Sequence, residues 1–298
     1  MAGAPGFRRK MAGVFMSRSF ALIGFPLGHS VSPQLHRRLF ELSGHSAGYT
    51  LLELPPGTLQ DAAAQLRQLA GFNVTIPYKA QIIPLLDKLD PSAGRYRSVN
   101  TVWCKNGRLV GYNTDVVGFI KGLEQQGLTP TGRVCVVGAG GVGRMFAIEA
   151  ALRGAEVTIA VRESGLQKAH DLGDDLAALG LGKPSICLTH RLTGPFDLLI
   201  NATPVGMHPH TNALPVAAGL LDRVDAVFEA IFNPMQTLLL REAAARGCRC
   251  VGGMDMLVWQ AVAAHEIWDS AVYKPQDLTK LSQEMSALVD GLAFDKEV

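Results

Sequence analysis

The chain has 298 residues, 48% of them hydrophobic and 18% charged, with a formal net charge of +2. That length supports a large core and more naturally two domains, while the near-balanced charge, with no Lys/Arg block interleaved with aromatics, leaves neither a nucleic acid nor an acidic membrane surface as an expected partner. No apolar run approaches the roughly 18–20 residues of a membrane span, and five cysteines, two of them in predicted strands, read as free thiols of a reducing compartment.

The first 16 residues are basic, with Arg8, Arg9 and Lys10 and no acid, and they lack a secretory apolar core. Residues 1–17 are therefore expected to form a disordered extension on a cytoplasmic protein. From residue 18 apolar runs alternate with helical patterns: a strand over 20–25, a helix over 33–43, a strand over 49–54, a helix over 59–69 and a strand over 72–76. Such alternation predicts parallel strands joined by crossover helices. Two further strands, 99–103 and 108–112, flank Lys105-Asn106-Gly107 and predict a hairpin with an Asn-Gly turn. An amphipathic helix over 115–125 runs to Gly127 and a Thr-Pro-Thr-Gly linker.

A second alternating series follows, with strands at 134–137, 157–161, 198–202 and 226–232 and helices at 142–152 and 166–179. Apolar helices over 256–271 and 278–292 close the chain. The expected fold is α/β, with two αβ domains in tandem: one over 18–115, a second over 116–253 whose residues 116–130 are a connecting helix and linker, and C-terminal helices over 254–298 returning to the first domain.

The most specific local signal is Gly138-Ala139-Gly140-Gly141-Val142-Gly143, directly after a β-branched strand and opening a helix. Glycines at 138 and 140 permit a tight turn whose backbone N–H groups reach a pyrophosphate, and the helix N-terminus favours its charge. The next strand ends in Arg162, which favours the extra phosphate of NADP; Glu163 beside it opposes that phosphate and keeps NAD open. No second cysteine pair or spaced histidine pair accompanies Cys248 and Cys250, so no metal is expected.

This turn specifies no chemistry by itself. Five other segments carry polar residues at strand ends or helix starts: Gly28-His29-Ser30-Val31-Ser32-Pro33, Asn73-Val74-Thr75-Ile76-Pro77-Tyr78-Lys79, Asn100-Thr101 with Asn113-Thr114-Asp115, Asn201-Ala202-Thr203-Pro204-Val205-Gly206-Met207, and Gly253 through Gln260. In this order, and together with the glycine turn, they resemble the shikimate dehydrogenase family from about residue 18 to the last helix. The resemblance implies that the first domain binds substrate, that the second is a Rossmann-like dinucleotide-binding domain, and that NADP-linked reduction of 3-dehydroshikimate to shikimate takes place in a cleft between them. It implies Lys79 and Asp115 as the proton-transfer pair, substrate contacts from Ser30, Ser32, Thr75, Asn100 and Gln260, and cofactor contacts from Gly138, Ala139, Gly140, Gly141, Val142, Arg162, Thr203 and Gly253. On their own chemistry Ser32 also reads as a helix cap before Pro33, Lys79 as a surface lysine and Asp115 as a helix-start carboxylate.

The chain departs from the family pattern at Phe232, where a tyrosine usually holds the substrate carboxylate, at Val116, which replaces a glycine, and at Tyr96-Arg97-Ser98, where smaller residues are usual. Arg97 offers an alternative carboxylate partner. These departures leave room for a quinate- or amino-shikimate-type substrate with NAD. From other classes, a non-catalytic dinucleotide sensor and a methyltransferase remain, and a monomer or homodimer is expected.

Overall fold

The computed structural model describes residues 18–28 and 30–294, with side chains to residue 291, so the expectations for 1–17, His29 and 295–298 fall outside it. The first six strands, β1 (Arg18–Gly24), β2 (Ala47–Glu53), β3 (Gly71–Val74), β4 (Lys88–Leu89), β5 (Thr101–Lys105) and β6 (Arg108–Tyr112), form one sheet in the order β2-β1-β3-β5-β6-β4. Strands β1, β2 and β3 are parallel, as crossover connections require, and β1 and β2 are joined through α1 (Ser32–Ser43). The β5–β6 hairpin is antiparallel, and its turn residues Asn106 and Gly107 both have positive φ, 52° and 75°. Two left-handed positions in a two-residue loop match the twist of the strands, which explains the Asn-Gly pair.

Alternation along β1 sorts its side chains. Ala21 and Ile23 join Phe72, Val74, Tyr78 and Ile82 in one cluster, while Phe20 lies against Phe40 and Trp268 on the other face. The predicted helix over 59–69 is only α2 (Ala63–Leu66), because its flanks close into i→i+3 turns, such as Leu69 N to Leu66 O at 3.2 Å, that bring the chain back to β3. A short helix α3 (Tyr78–Gln81) follows β3, and α4 (Pro91–Tyr96), which the apolar pattern does not show, starts where the Asp90 side chain accepts from Ser92 N at 2.9 Å. Helix α1 also begins one residue early, with Val31 as its cap and no side-chain capping bond, so Ser32 is not the cap that Pro33 predicted.

The second sheet holds β7 (Arg133–Val137), β8 (Glu156–Val161), β9 (Ser185–Leu188), β10 (Leu198–Asn201), β11 (Ala226–Glu229) and β12 (Arg249–Val251), all parallel, in the order β12-β11-β10-β7-β8-β9. This is the doubly wound arrangement, and the strand order reverses beside β7, whose end carries the glycine turn. Its helices include α6 (Gly141–Leu152), α7 (Leu166–Ala178) and α8 (Leu238–Ala245). Strand β11 stops at Glu229 rather than running to 232, because the Ala230 and Ile231 carbonyls turn against Gly253.

Two helices join the sheets. Helix α5 (Asp115–Gln125) lies along α9 (Gly253–Asp269) so closely that a Cβ on Gly118 would sit 2.4 Å from the Met256 carbonyl oxygen. Phe119 of α5 enters the second sheet's core, with ring centroids 4.4 Å from Phe146 and 5.0 Å from Phe228, and Val116 packs beside it. In the other direction, α9 and α10 (Pro275–Phe294) cover α1: Val31, Leu35 and Leu39 share a cluster with Val258, Val262, Leu281 and Met285. Trp268 donates to Val102 O at 3.0 Å and lies over Gly71, where a Cβ would come within 2.5 Å of its indole nitrogen.

Candidate active site

The ends of β3 and β5 and the starts of α3 and α5 bring one polar network together. Tyr78 is buried and donates to Leu54 O at 2.6 Å, which pins α3; its neighbour Lys79 accepts a backbone bond from Val99 N at 2.7 Å. The Lys79 ammonium therefore points from a fixed turn, and Nζ donates to Asp115 Oδ2 at 2.6 Å. Asp115 Oδ1 accepts from Asn100 Nδ2 at 2.9 Å, and Gln260 Oε1 lies 3.4 Å from the same nitrogen. Asn100 Oδ1 accepts from Thr114 N at 2.6 Å, which sets the amide's orientation.

Behind this pair the network continues inward through residues to which the sequence assigned no role. Thr114 and Thr101 hydroxyls meet at 3.0 Å, Asn73 Nδ2 donates to Thr101 Oγ1 at 3.0 Å, and Tyr49 donates to Asn73 Oδ1 at 2.7 Å. Asn73, Asn100, Thr101 and Thr114 are all buried, so each polar group finds its partner within the protein. The pairing side chains come from strands and helices, and the Lys79 side chain remains 23% exposed. A cation held by a rigid carboxylate and reachable from solvent can stabilise an oxyanion and transfer a proton.

Ser30 and Ser32 stand at the start of α1, where Ser30 Oγ accepts from Ser32 N at 3.3 Å. Thr75 lies in the turn after β3, its N–H bonded to Ile23 O at 2.9 Å. Among the described residues no hydrogen bond joins these three to the Lys79–Asp115 network. Phe232 packs against the cluster of Val31, Leu35 and Met254, beside the serine segment. Arg97, with φ of 49°, pairs with Asp175 at 3.2 Å; its neighbour Tyr96 is buried in the second sheet's cluster and donates to Glu149. The Tyr96–Arg97 step thus joins α4 to α6 and α7.

The glycine turn has the geometry a dinucleotide needs. Gly138 has φ of 105°, and a Cβ there would meet Thr203 Cγ2 at 2.9 Å; a Cβ on Gly143 would lie 2.1 Å from Gly138 O, which no side chain allows. Gly140 and Gly141 instead face open space at the N-terminus of α6, while Ala139 and Val142 pack on the cluster below. Arg162 and Glu163 are both exposed at the end of β8. Gly253 opens α9 with its Cβ position 2.6 Å from Ala230 O.

One buried group near this turn escaped the sequence reading. Glu229, fully buried at the end of β11, accepts from Asn201 Nδ2 at 3.0 and 3.1 Å, Ile231 N at 3.1 Å and Thr237 Oγ1 at 3.1 Å. Burial pushes its carboxyl up to about 7, against the pull of these donors. A carboxylate ending an apolar strand, between Phe228 and Ala230, was the available signal; its register with Asn201 of the neighbouring strand appears only in the fold.

Comparison with known proteins bears on both halves. The model of the shikimate dehydrogenase substrate binding domain matches residues 22–102. The protein named shikimate dehydrogenase (NADP(+)) from Shouchella clausii (strain KSM-K16) is 39% identical over 259 residues, covering 85% of this chain and 93% of that protein. The structure of shikimate 5-dehydrogenase from Thermus thermophilus in complex with NADP(H) and shikimate aligns with a TM-score of 0.81 at 31% identity, over 90% of this chain and 99% of that one. The ligand-free 5-ketofructose reductase of Gluconobacter sp. strain CHM43 aligns with a TM-score of 0.81 at 30% identity, over 91% of this chain and 99% of that one. With 39% identity across 93% of a curated relative, and the family's two-sheet architecture throughout, the chain belongs to the shikimate dehydrogenase family.

Proposed function

We propose that this chain is an NADP-linked oxidoreductase that interconverts 3-dehydroshikimate and shikimate, with Lys79 and Asp115 as its proton-transfer pair. The observation that carries the reading is the Lys79 Nζ–Asp115 Oδ2 contact of 2.6 Å inside a buried amide and hydroxyl network, because a protein that only binds a dinucleotide need not keep such a pair. The open glycines at the start of α6 and the exposed Arg162 suit a dinucleotide carrying a further phosphate. Thr203 and Gly253 complete that side of the cleft. Bound NADPH supplies the hydride for the carbonyl carbon.

As negative charge grows on the carbonyl oxygen, the Lys79 ammonium stabilises it and gives up one N–H proton to form the hydroxyl. In the reverse direction neutral Lys79 takes the hydroxyl proton. Asp115 holds the ammonium in place and accepts from a neighbouring substrate hydroxyl, while Thr75, Asn100 and Gln260 bond the remaining hydroxyls. Ser30 and Ser32 donate to the substrate carboxylate. Ser32 suits this because its side chain is not used to cap α1. The corresponding division of labour is a substrate domain over 18–115, a cofactor domain over 116–253 and C-terminal helices from 254 that belong with the first. The protein acts as a monomer or homodimer in the cytoplasm.

Phe232 favours a second reading. Its ring has no hydroxyl to offer a carboxylate, and losing one such bond costs about 1.5–3 kcal/mol of binding unless another group replaces it. A family member acting on quinate or an amino-substituted relative, with NAD, fits that change, and a 5-ketofructose reductase on a similar fold is a neighbour with another substrate. A spectrophotometric panel of NADP and NAD against shikimate and quinate separates the readings. The expected result is reduction of NADP with shikimate far faster than with quinate; comparable or reversed rates would overturn it.

A further inference from the structure

We propose that Glu229 is a positioning residue for the dinucleotide cleft, tying the loop after β10 to the loop after β11 so that Thr203 stays seated on the glycine turn. This rests on the reading that the turn binds NADP. Glu229 touches no atom of the turn itself. It acts through Asn201, whose amide is held from both ends: Nδ2 donates to both Glu229 oxygens, and Oδ1 accepts from Thr203 N at 3.0 Å and Thr203 Oγ1 at 2.7 Å.

Thr203 in turn accepts from Val205 N at 3.2 Å and rests its methyl against Gly138, and the Ala202 side chain lies 3.3 Å from the Cβ position of Gly143. The carboxylate's remaining donors, Ile231 N and Thr237 Oγ1, belong to the other loop, and Thr237 also caps α8 through Leu240 N at 3.3 Å. The next carbonyls, of Ala230 and Ile231, abut Gly253 at the head of α9, the helix that carries Gln260. A single buried acid therefore links the cofactor side of the cleft to the helix on its substrate side.

The arrangement needs an acceptor at both oxygens. Asn201 cannot turn its amide without setting its own N–H groups against Thr203 N, and a glutamine at 229 would present an NH2 group to Asn201 Nδ2 whichever way it faced. Glu229→Gln keeps the shape of the side chain and replaces one acceptor of the lock with a donor.

The test is NADPH binding by fluorescence titration in mildly alkaline buffer, with steady-state kinetics and thermal melts on the same proteins. E229Q is expected to weaken NADPH binding and raise its KM by about tenfold, with kcat at saturating NADPH and the KM for the second substrate changed much less. Should E229Q fold poorly, Thr203→Val removes the hydroxyl's bonds to Asn201 and Val205 while leaving Glu229 in place, and is expected to weaken NADPH binding in the same direction. Wild-type protein that binds NADPH while E229Q and T203V bind it equally well overturns the proposal. Failure of the wild-type protein to bind NADPH at all overturns the cofactor reading instead, and this proposal with it.

Discussion

Lys79 and Asp115 are separated by 36 positions, and neither looks unusual beside its immediate neighbours: a lysine after a proline and an acid at a helix start. Their meaning depends on motif order, and the structure adds that Lys79 on its short anchored helix meets an Asp115 that is itself bonded to Asn100. What was not legible at this scale is the second layer. Asn73, Thr101 and Thr114 were visible as motif letters, but their mutual bonds depend on the antiparallel register of β5 on β3, which pairs Asn73 with Thr101. Glu229 was hidden for a similar reason, since its partners come from another strand. The direct prediction concerns the pair. Lys79→Ala and Asp115→Asn should each lower kcat by about 10²–10⁴-fold, while equilibrium binding of shikimate, followed by calorimetry, changes only severalfold; undiminished turnover in the lysine variant would remove it from the mechanism.

At the level of elements, long periodic segments are easily read and short ones are not. Helices α5, α6 and α7 lie within a residue or so of their expected bounds, whereas β4, β9, α8 and β12 have no counterpart among the expected elements, and the periodicity of 59–69 overstates α2. Strands of two to four residues leave too few positions to show a period of two, and they form because a neighbouring strand supplies the pairing. Helix packing also holds a titration that periodicity cannot show. His36 of α1 and His265 of α9 are buried with ring nitrogens 3.0 Å apart, and His265 Nδ1 meets the Tyr273 hydroxyl at 3.0 Å. Burial pulls both imidazoles down, His265 to about 3 with His45 and Arg18 adding to the effect, and His36 further lowered by His265. An unfolded chain would bind protons at these residues near 6.5, so the stability they confer is complete above that pH and is lost as pH falls toward 3. Urea midpoints should fall between pH 6.5 and about 4 in the native protein, and a His265→Gln variant should show a flatter dependence; parallel curves would contradict this.

Across the whole molecule, the two sheets are not simply consecutive beads. Alternation and the glycine turn made the two α/β halves legible, because each sheet draws its strands from one continuous stretch. The entry of Phe119 and Tyr96 into the second core was not, since neither residue shows in the sequence which sheet it packs against; the return of the last two helices to the first half was among the expectations. At that scale the expected behaviour is cooperative: a fragment comprising residues 18–130 should lack the cooperative thermal transition of the full chain, since it carries Val31, Leu35 and Leu39 without the helices that cover them. Differential scanning calorimetry checks this, and a sharp transition near the full-length temperature would refute it.

The cover that α9 and α10 place over α1 also sets an order in time. During synthesis the strands of the first sheet emerge early, but the side chains that bury Leu35 and Leu39 belong to residues 254–289, which leave the ribosome after the whole second sheet. Contacts of such long sequence separation form slowly, and an apolar face exposed meanwhile invites association with other chains. The nascent first half therefore has to wait, and the helices made last complete the half made first.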